Sequence, residues 1–254
     1  MKHIGEVIKN LPLKNTGKAL SDEAGEGEEY TCPLCRDAHF VHPLKGNGEP
    51  DYSMVVPCKC VREQVERERK QRLLGYCELP SGTAHMTFES FIVSPQLKEV
   101  YDLAIQLAEG SNEVTWLTLM AGADRGKTHL LIAICRRWLE RGNIARYAYV
   151  PLLFEELRRG FRDEGDGSYE ARFDRFLNVP LLVLDDLGAE NRTSWVQEKL
   201  DIIVDYRLMN ALPLVVATNT PMEELPFRIT SRLKRAPNSR MVYIEALEFR
   251  KSRK

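Results

Sequence analysis

The sequence predicts an α/β fold: an open five-stranded parallel sheet between helices, preceded by a small cysteine-rich module. Three observations predict it. Short apolar runs alternate with stretches of helical periodicity from His85 onward. A loop ending in Gly126-Lys-Thr128 joins one such run directly to the next helix. Two close cysteine pairs lie upstream, apart from this pattern. Strands that alternate with helices build parallel sheets covered on both faces.

Bulk properties set the frame. A chain of 254 residues accommodates one large domain and a small appendage. No apolar run approaches transmembrane length, and Met1–Asn10 lacks a signal-peptide core, so a cytoplasmic location without membrane contact is expected. A formal net charge of -1 excludes a globally basic nucleic-acid binder; any such contact needs a local basic patch. Six cysteines in a reducing compartment are not a disulfide framework.

Residues 1–29 read as a flexible segment, because Ser21–Glu29 is acidic, glycine-containing and nearly devoid of apolar residues. Residues 30–84 form the cysteine module and a charged helical linker with a partner-binding role. Cys32-Pro-Leu-Cys35 and Cys58-Lys-Cys60 each place two thiolates on a tight turn, and two such turns complete a closed structural zinc site. The second pair has the less common single-residue spacing. His39 and His42 are substitute ligands, and free thiols in a loop are the alternative. Val61–Leu74 is a highly charged helical run, either a solvated linker or a partner-binding helix. A turn at Leu79-Pro-Ser-Gly82 closes this region, and no internal repeat is apparent.

Residues 85–254 carry the sheet. Strand-like runs occur at Val114–Met120, Ala145–Val150, Leu181–Asp185, Leu214–Thr218 and Met241–Ile244. His129–Leu139 reads as a helix from Leu130, Ile134 and Trp138, with Cys135 a small core residue; Cys77, like it, has no partner in sequence. The loop between, Gly122, Ala123, Asp124, Arg125, Gly126, Lys127 and Thr128, is placed as a phosphate-binding loop must be. Its N–H groups and the helix N-terminus form an anion cradle. Lys127 reaches the β- and γ-phosphates of a nucleotide, and the Thr128 hydroxyl ligates Mg²⁺. The full pattern asks for glycine where this chain has Ala121. A chance Gly-Lys-Thr turn is the bland alternative.

An acid at the tip of a buried strand is costly unless it binds something. Asp185, at the end of Leu181–Asp185, is expected to hold Mg²⁺ through water, and Asp186 to polarise an attacking water. Asn219 ends the next apolar strand, the place for an amide that senses the γ-phosphate; a turn-forming Asn before Pro221 is the alternative. Arg228-Ile-Thr-Ser-Arg232 is a basic segment, and an arginine supplied across a subunit interface stabilises phosphoryl-transfer charge.

Met86-Thr-Phe-Glu-Ser-Phe91, Ala121–Leu130, Leu181–Glu190, Glu198–Arg207, Ala217–Leu225 and Ser231-Arg-Leu233 resemble bacterial helicase loaders of the DnaC/DnaI type. These are AAA+ ATPases related to the IstB-like transposition ATPases, and the resemblance runs from about His85 to the C-terminus. Asp185-Asp-Leu-Gly-Ala-Glu190 carries most of it, since most AAA+ proteins have Asp-Glu there.

The resemblance implies an AAA+ P-loop NTPase domain without a separate helical lid. Lys127 and Thr128 then fall on Walker A, Asp185 and Asp186 on Walker B, and Asn219 on sensor 1. Arg232 falls on the trans-acting arginine finger, with Arg228 its rival, and Arg250 on sensor 2. Phe88 and Phe91 lie beside the adenine, and His129 joins the loop in nucleotide binding. The implied activity is slow ATP hydrolysis, stimulated by partner or DNA. The implied partners are a replicative helicase, single-stranded DNA and further copies of the AAA+ domain. Arg158, Arg159, Arg162, Arg172 and Arg175 are the expected DNA contacts. Glu155, Glu156, Asp163 and Glu170 among them leave solvated helix charge as the alternative. A transposition helper that recruits a transposase to duplex DNA, and a nucleotide-gated adaptor with little hydrolysis, stay open. The cysteine module favours the loader.

Overall fold

A computed structural model describes residues 30–163 and 167–245 and divides the chain into two compact units, Met1–Gln71 and Arg72–Lys254. The expected flexible segment 1–29 and Arg250 lie outside the described residues.

The smaller unit holds a two-stranded antiparallel ribbon, β1 (Phe40–Val41) and β2 (Val56–Pro57), paired Phe40 to Pro57 and Val41 to Val56. Its core is Cys35, Val41, Val56 and Cys58, flanked by Cys32, Leu34 and Val61. So small an apolar cluster does not hold a module of this length on its own. Helix α1 (Lys59–Cys77) starts here, because Val61 and Arg62 both donate backbone N–H to the Cys58 carbonyl. It ends where Glu78 turns to φ +55°. The helix is longer than the expected Val61–Leu74. Leu73, Cys77 and Leu79 pack on the core of the larger unit, so the division falls within α1 and not at the Leu79–Gly82 turn.

In the larger unit α2 (Lys98–Ala108) precedes β3 (Trp116–Met120), α3 (Lys127–Glu140), β4 (Ala145–Tyr149) and α4 (Val150–Arg159). Then follow α5 (Tyr169–Asn178), β5 (Leu181–Asp185), α6 (Ser194–Met209), β6 (Leu214–Thr218), α7 (Phe227–Arg235) and β7 (Ser239–Tyr243). The strands form one parallel sheet in the order β4-β5-β6-β3-β7. Every residue of β5 and β6 is buried, which is why both read as unbroken apolar runs and were legible to the residue. β7 is an edge strand with a mixed pattern and begins two residues before its expected start. Val150 opens α4, with Pro151 in its first turn, and so does not belong to β4.

Alternation along the strands divides the core into two layers. Leu117, Leu119, Leu181, Val183, Val215 and Ala217 face α2 and α3 residues such as Leu107, Leu130 and Ile134. Trp116, Leu182, Leu184, Leu214 and Val216 face Leu153, Phe176, Leu200 and Ile203 from α4, α5 and α6. Cys77 and Cys135, far apart in sequence, both belong to the first layer. Ser168 and Thr193 cap α5 and α6 by accepting from Ala171 N and Val196 N.

One charge is fully buried among these apolar residues. Arg207 of α6 donates to the carbonyls of Phe176, Leu177, Val179, Pro180 and Pro213. It thereby satisfies the end of α5 and the approaches to β5 and β6. Burial lowers its pKa to about 9.

Candidate functional site

β3 ends at Met120 and α3 begins at Lys127, so the six residues between must turn the chain back sharply. Asp124 and Gly126 do this in the left-handed region, at φ +56° and +82°. Aspartate tolerates that region better than most side chains. Gly126 is required twice over, since a Cβ there would also meet the Phe91 ring at 3.0 Å. The Ala121 backbone lies outside the left-handed region, which explains why alanine fits where the motif asks for glycine.

Lys127 is 7 % exposed. Its ammonium donates to the carbonyls of Ala121 (2.9 Å) and Gly122 (2.7 Å) and to Asn219 Oδ1 (2.6 Å). Burial pulls its pKa below the usual lysine range; the nearby Arg125 charge adds to this, while Asp185 and Asp186 oppose it. Asn219 in turn donates from Nδ2 to Asp186 Oδ1 at 2.6 Å. Thr128 donates from Oγ1 to Asp185 Oδ2 at 2.8 Å. β3, β5 and β6 are neighbours in the sheet, so their carboxyl ends bring Lys127, Thr128, Asp185, Asp186 and Asn219 together.

The loop after β5 explains the Asp185–Glu190 run. Asp186 stands at φ +61° and Gly188 at +97°, and a Cβ on Gly188 would meet Thr220 Oγ1 at 2.5 Å. The buried Glu190 carboxylate accepts from Gly188 N at 2.7 Å, and Thr218 Oγ1 donates to the Leu187 carbonyl at 2.6 Å. The acidic loop is thus tied to the strand that carries Asn219.

These groups line a cleft of about 770 Å³. Its polar end holds Ala123, Asp124, Arg125, Gly126, Lys127, Thr128, Asp185, Asp186 and Asn219. Its other end is largely apolar, with Met86, Phe91, Ile92 and Leu97 beside His85 and His129. A ring of Phe91 stacks on Tyr101 and meets His129 edge-on, and His129 Nε2 lies 2.8 Å from the Thr87 carbonyl. A polar cradle and an apolar slot at opposite ends fit a nucleotide. The oxygen donors of Thr128 and Asp185 suit a hard divalent cation beside the cradle.

Not every expected residue lines this cleft. Phe88 is 3 % exposed and packs edge-on against Tyr101, under the Arg137 guanidinium, at the start of a tight turn (Phe91 N to Phe88 O). Phe91 alone of the pair faces the cleft. Gly122 contributes only its carbonyl, to Lys127. Arg228 and Arg232 stand on α7 and both pair with Asp205 of α6, away from the cleft of their own chain. Burial alone would raise the Asp205 pKa, yet Arg232 and Arg228 hold it below the usual range.

The five arginines around α4 and α5 divide as well. Arg158 pairs with Glu155 and lies over the Trp195 ring, and Arg172 pairs with Asp163. Arg159, Arg162 and Arg175 are exposed.

In the smaller unit Cys32, Cys35, Cys58 and Cys60 bring their sulfurs within 4.8 Å of one another. Cys32 and Cys58 are 3.7 Å apart, Cys35 and Cys60 3.5 Å. A tetrahedron with metal–sulfur bonds of about 2.3 Å has edges of about 3.8 Å, so the four thiols fit a zinc ion. The first turn is fixed by Asp37, which accepts from Thr31 N and Cys32 N, and those amides lower its pKa. Cys58 and Cys60 stand at the start of α1, which holds the second pair on one turn. His42 is turned away, its Nδ1 at 2.7 Å from the Met54 carbonyl, and His39 is likewise outside the cluster.

The IstB-like ATP binding protein family matches residues 53–228, more than half of the chain. The chain belongs to that family. Within the family the chain is similar to the replicative helicase loader DnaI of Bacillus subtilis (strain 168), 26% identical over 195 residues. That match covers 74% of this chain and 62% of DnaI, so the chain spans less than two thirds of that relative. It is 25% identical over 223 residues to the phage-like element PBSX protein XkdC of the same organism, covering 81% of this chain and 79% of XkdC. A crystal structure of the DnaC helicase loader has the same fold, with a TM-score of 0.56 at 20% identity, over 65% of this chain and 100% of that one. The five-stranded parallel sheet lies in the part of the chain that shares this fold. Among the described residues no helix is long and apolar enough to cross a membrane.

Two tyrosines of β4 that reach the acids of the cleft were not anticipated. Tyr147 OH donates to Asp185 Oδ2 at 2.7 Å, and Tyr149 OH to Asp186 Oδ2 at 3.3 Å. The signal in sequence was a pair of tyrosines two apart near the end of a strand, Ala145-Arg-Tyr-Ala-Tyr149.

Proposed function

We propose that this chain is an ATP-hydrolysing helicase loader of DNA replication. One observation carries the ATPase part: three hydrogen bonds, Lys127–Asn219, Asn219–Asp186 and Thr128–Asp185, lie together at the polar end of one cleft. Lys127 and the loop amides hold the β- and γ-phosphates, and Thr128 and Asp185 hold Mg²⁺, which neutralises the phosphates when bound. Asp186 accepts a proton from the attacking water, and Asn219 aligns that water or the γ-phosphate. Phe91, Ile92 and Met86 receive the base. Arg232, with Arg228 as its rival, acts on the nucleotide of a neighbouring copy; that both lie away from their own cleft supports this.

Similarity to DnaI and to the DnaC fold supports delivery of a replicative helicase, with single-stranded DNA as the second ligand. The DNA contacts fall to Arg158, Arg159, Arg162 and Arg175, which are exposed, with the half-buried Arg172 beside them. A zinc-bound cysteine module serves as the helicase-binding part, and its four-thiol geometry favours a loader over a transposition helper. The test is co-purification with the replicative helicase of the same cell, combined with ATP turnover. A stable complex and ATP-dependent release are expected. Binding to a transposase instead would support the transposition reading.

A further inference from the structure

β4 lies beside β5 with Tyr147 opposite Val183 and Tyr149 opposite Asp185. The odd positions of β4 therefore reach toward the acidic end of β5. Tyr147 is 6 % exposed, and its ring belongs to the apolar layer under α3. A ring held that way has little freedom, and its hydroxyl is delivered to one point, Asp185 Oδ2 at 2.7 Å. Thr128 Oγ1 reaches the same oxygen at 2.8 Å.

We propose that Tyr147 is a positioning residue for the divalent cation, fixing the Asp185 carboxylate so that it and Thr128 present their oxygens together. This rests on the nucleotide-site reading above. Two convergent donors on one oxygen fix the carboxylate plane. A carboxylate that binds a cation directly or through water acts best when its own orientation is held by a hydrogen bond, and loss of such an outer partner typically costs about 10- to 100-fold in metal affinity. Tyr147 suits the part because a phenolic hydroxyl is a neutral donor, and this one is buried against a single carboxylate oxygen. Tyr149 differs. Its hydroxyl is 3.3 Å from Asp186 on an exposed side chain, so it constrains its carboxylate far less.

The experiment uses the full-length chain and a fluorescent ATP analogue, titrated with Mg²⁺ and, separately, in EDTA. For Tyr147→Phe the Mg²⁺ concentration that half-saturates the Mg²⁺-dependent signal should rise about tenfold. Affinity in EDTA should stay within about twofold, because the hydroxyl touches no phosphate-binding group. Unchanged Mg²⁺ half-saturation in a folded variant overturns the proposal. Tyr147→Met is the second hydroxyl-free variant should Tyr147→Phe fail to fold. Loss of fold in both, read by circular dichroism, makes Tyr147 structural and equally overturns the positioning role. If the unaltered protein shows no Mg²⁺-dependent nucleotide binding, the nucleotide-site reading fails first, a result distinct from either.

Discussion

Lys127 Nζ lies 2.6 Å from Asn219 Oδ1, across 92 residues of sequence, and the same asparagine donates to Asp186. One amide thus spans the loop ammonium and the Asp186 carboxylate. Under the proposed function, a γ-phosphate arriving between Lys127 and Asn219 would exchange that contact for its own oxygens and alter what Asp186 feels.

Lys127→Ala removes a charge-assisted donor set worth about 1.5–3 kcal/mol, a ten- to hundredfold loss of nucleotide affinity. Asn219→Ala should leave affinity within a few-fold and slow hydrolysis. Fluorescent-nucleotide titration and phosphate release measure the two. Normal affinity in Lys127→Ala removes the phosphate-loop assignment.

The neighbouring acids should separate cleanly. Asp186→Asn should retain Mg·ATP binding and lose at least about 100-fold in turnover, as expected when a general base is lost. Asp185→Asn should instead weaken the Mg²⁺ dependence of binding, since its carboxylate is the one against Thr128. Identical behaviour in both would mean that the two roles are misassigned.

The cysteine module should carry one zinc ion per chain, released by chelator or acid. Without metal, the amides of Cys35 and Leu34 lower the Cys32 pKa to about 7, while desolvation and the other thiols push Cys60 up to about 12. Cys60 is then protonated at neutral pH. Zinc must displace that proton, so its affinity rises with pH and falls on acidification. Elemental analysis and a zinc-indicator titration at several pH values test this. Metal-free protein with an intact module would contradict it.

Arg207→Met should destabilise the larger unit by about 3 kcal/mol, because several buried carbonyls lose their donor while the volume is kept. Chemical denaturation reads this directly. A change below about 1 kcal/mol would show that water replaces the guanidinium.

What was legible in the sequence follows from its physics. β5 and β6 are buried on both faces, so composition alone marked them, and the strand–loop–helix junction at Lys127 is a local pattern. β3 and β7 were placed less well because their ends are set by pairing, not by apolarity. Tyr147 and Tyr149 needed the strand order, which brings β4 beside β5 and is not written in any window. The capture of Arg228 and Arg232 by Asp205 likewise depends on how α6 and α7 pack. Phe88 and Phe91 looked equivalent in sequence, yet one of them lies in the core.

The most direct test of the central claim is loading itself: transfer of the purified replicative helicase onto circular single-stranded DNA, with and without this chain and ATP. The account predicts that helicase is retained on the circles only with the chain and ATP, and that Lys127→Ala abolishes the effect. Equal retention without the chain, or unaltered retention with Lys127→Ala, would contradict it.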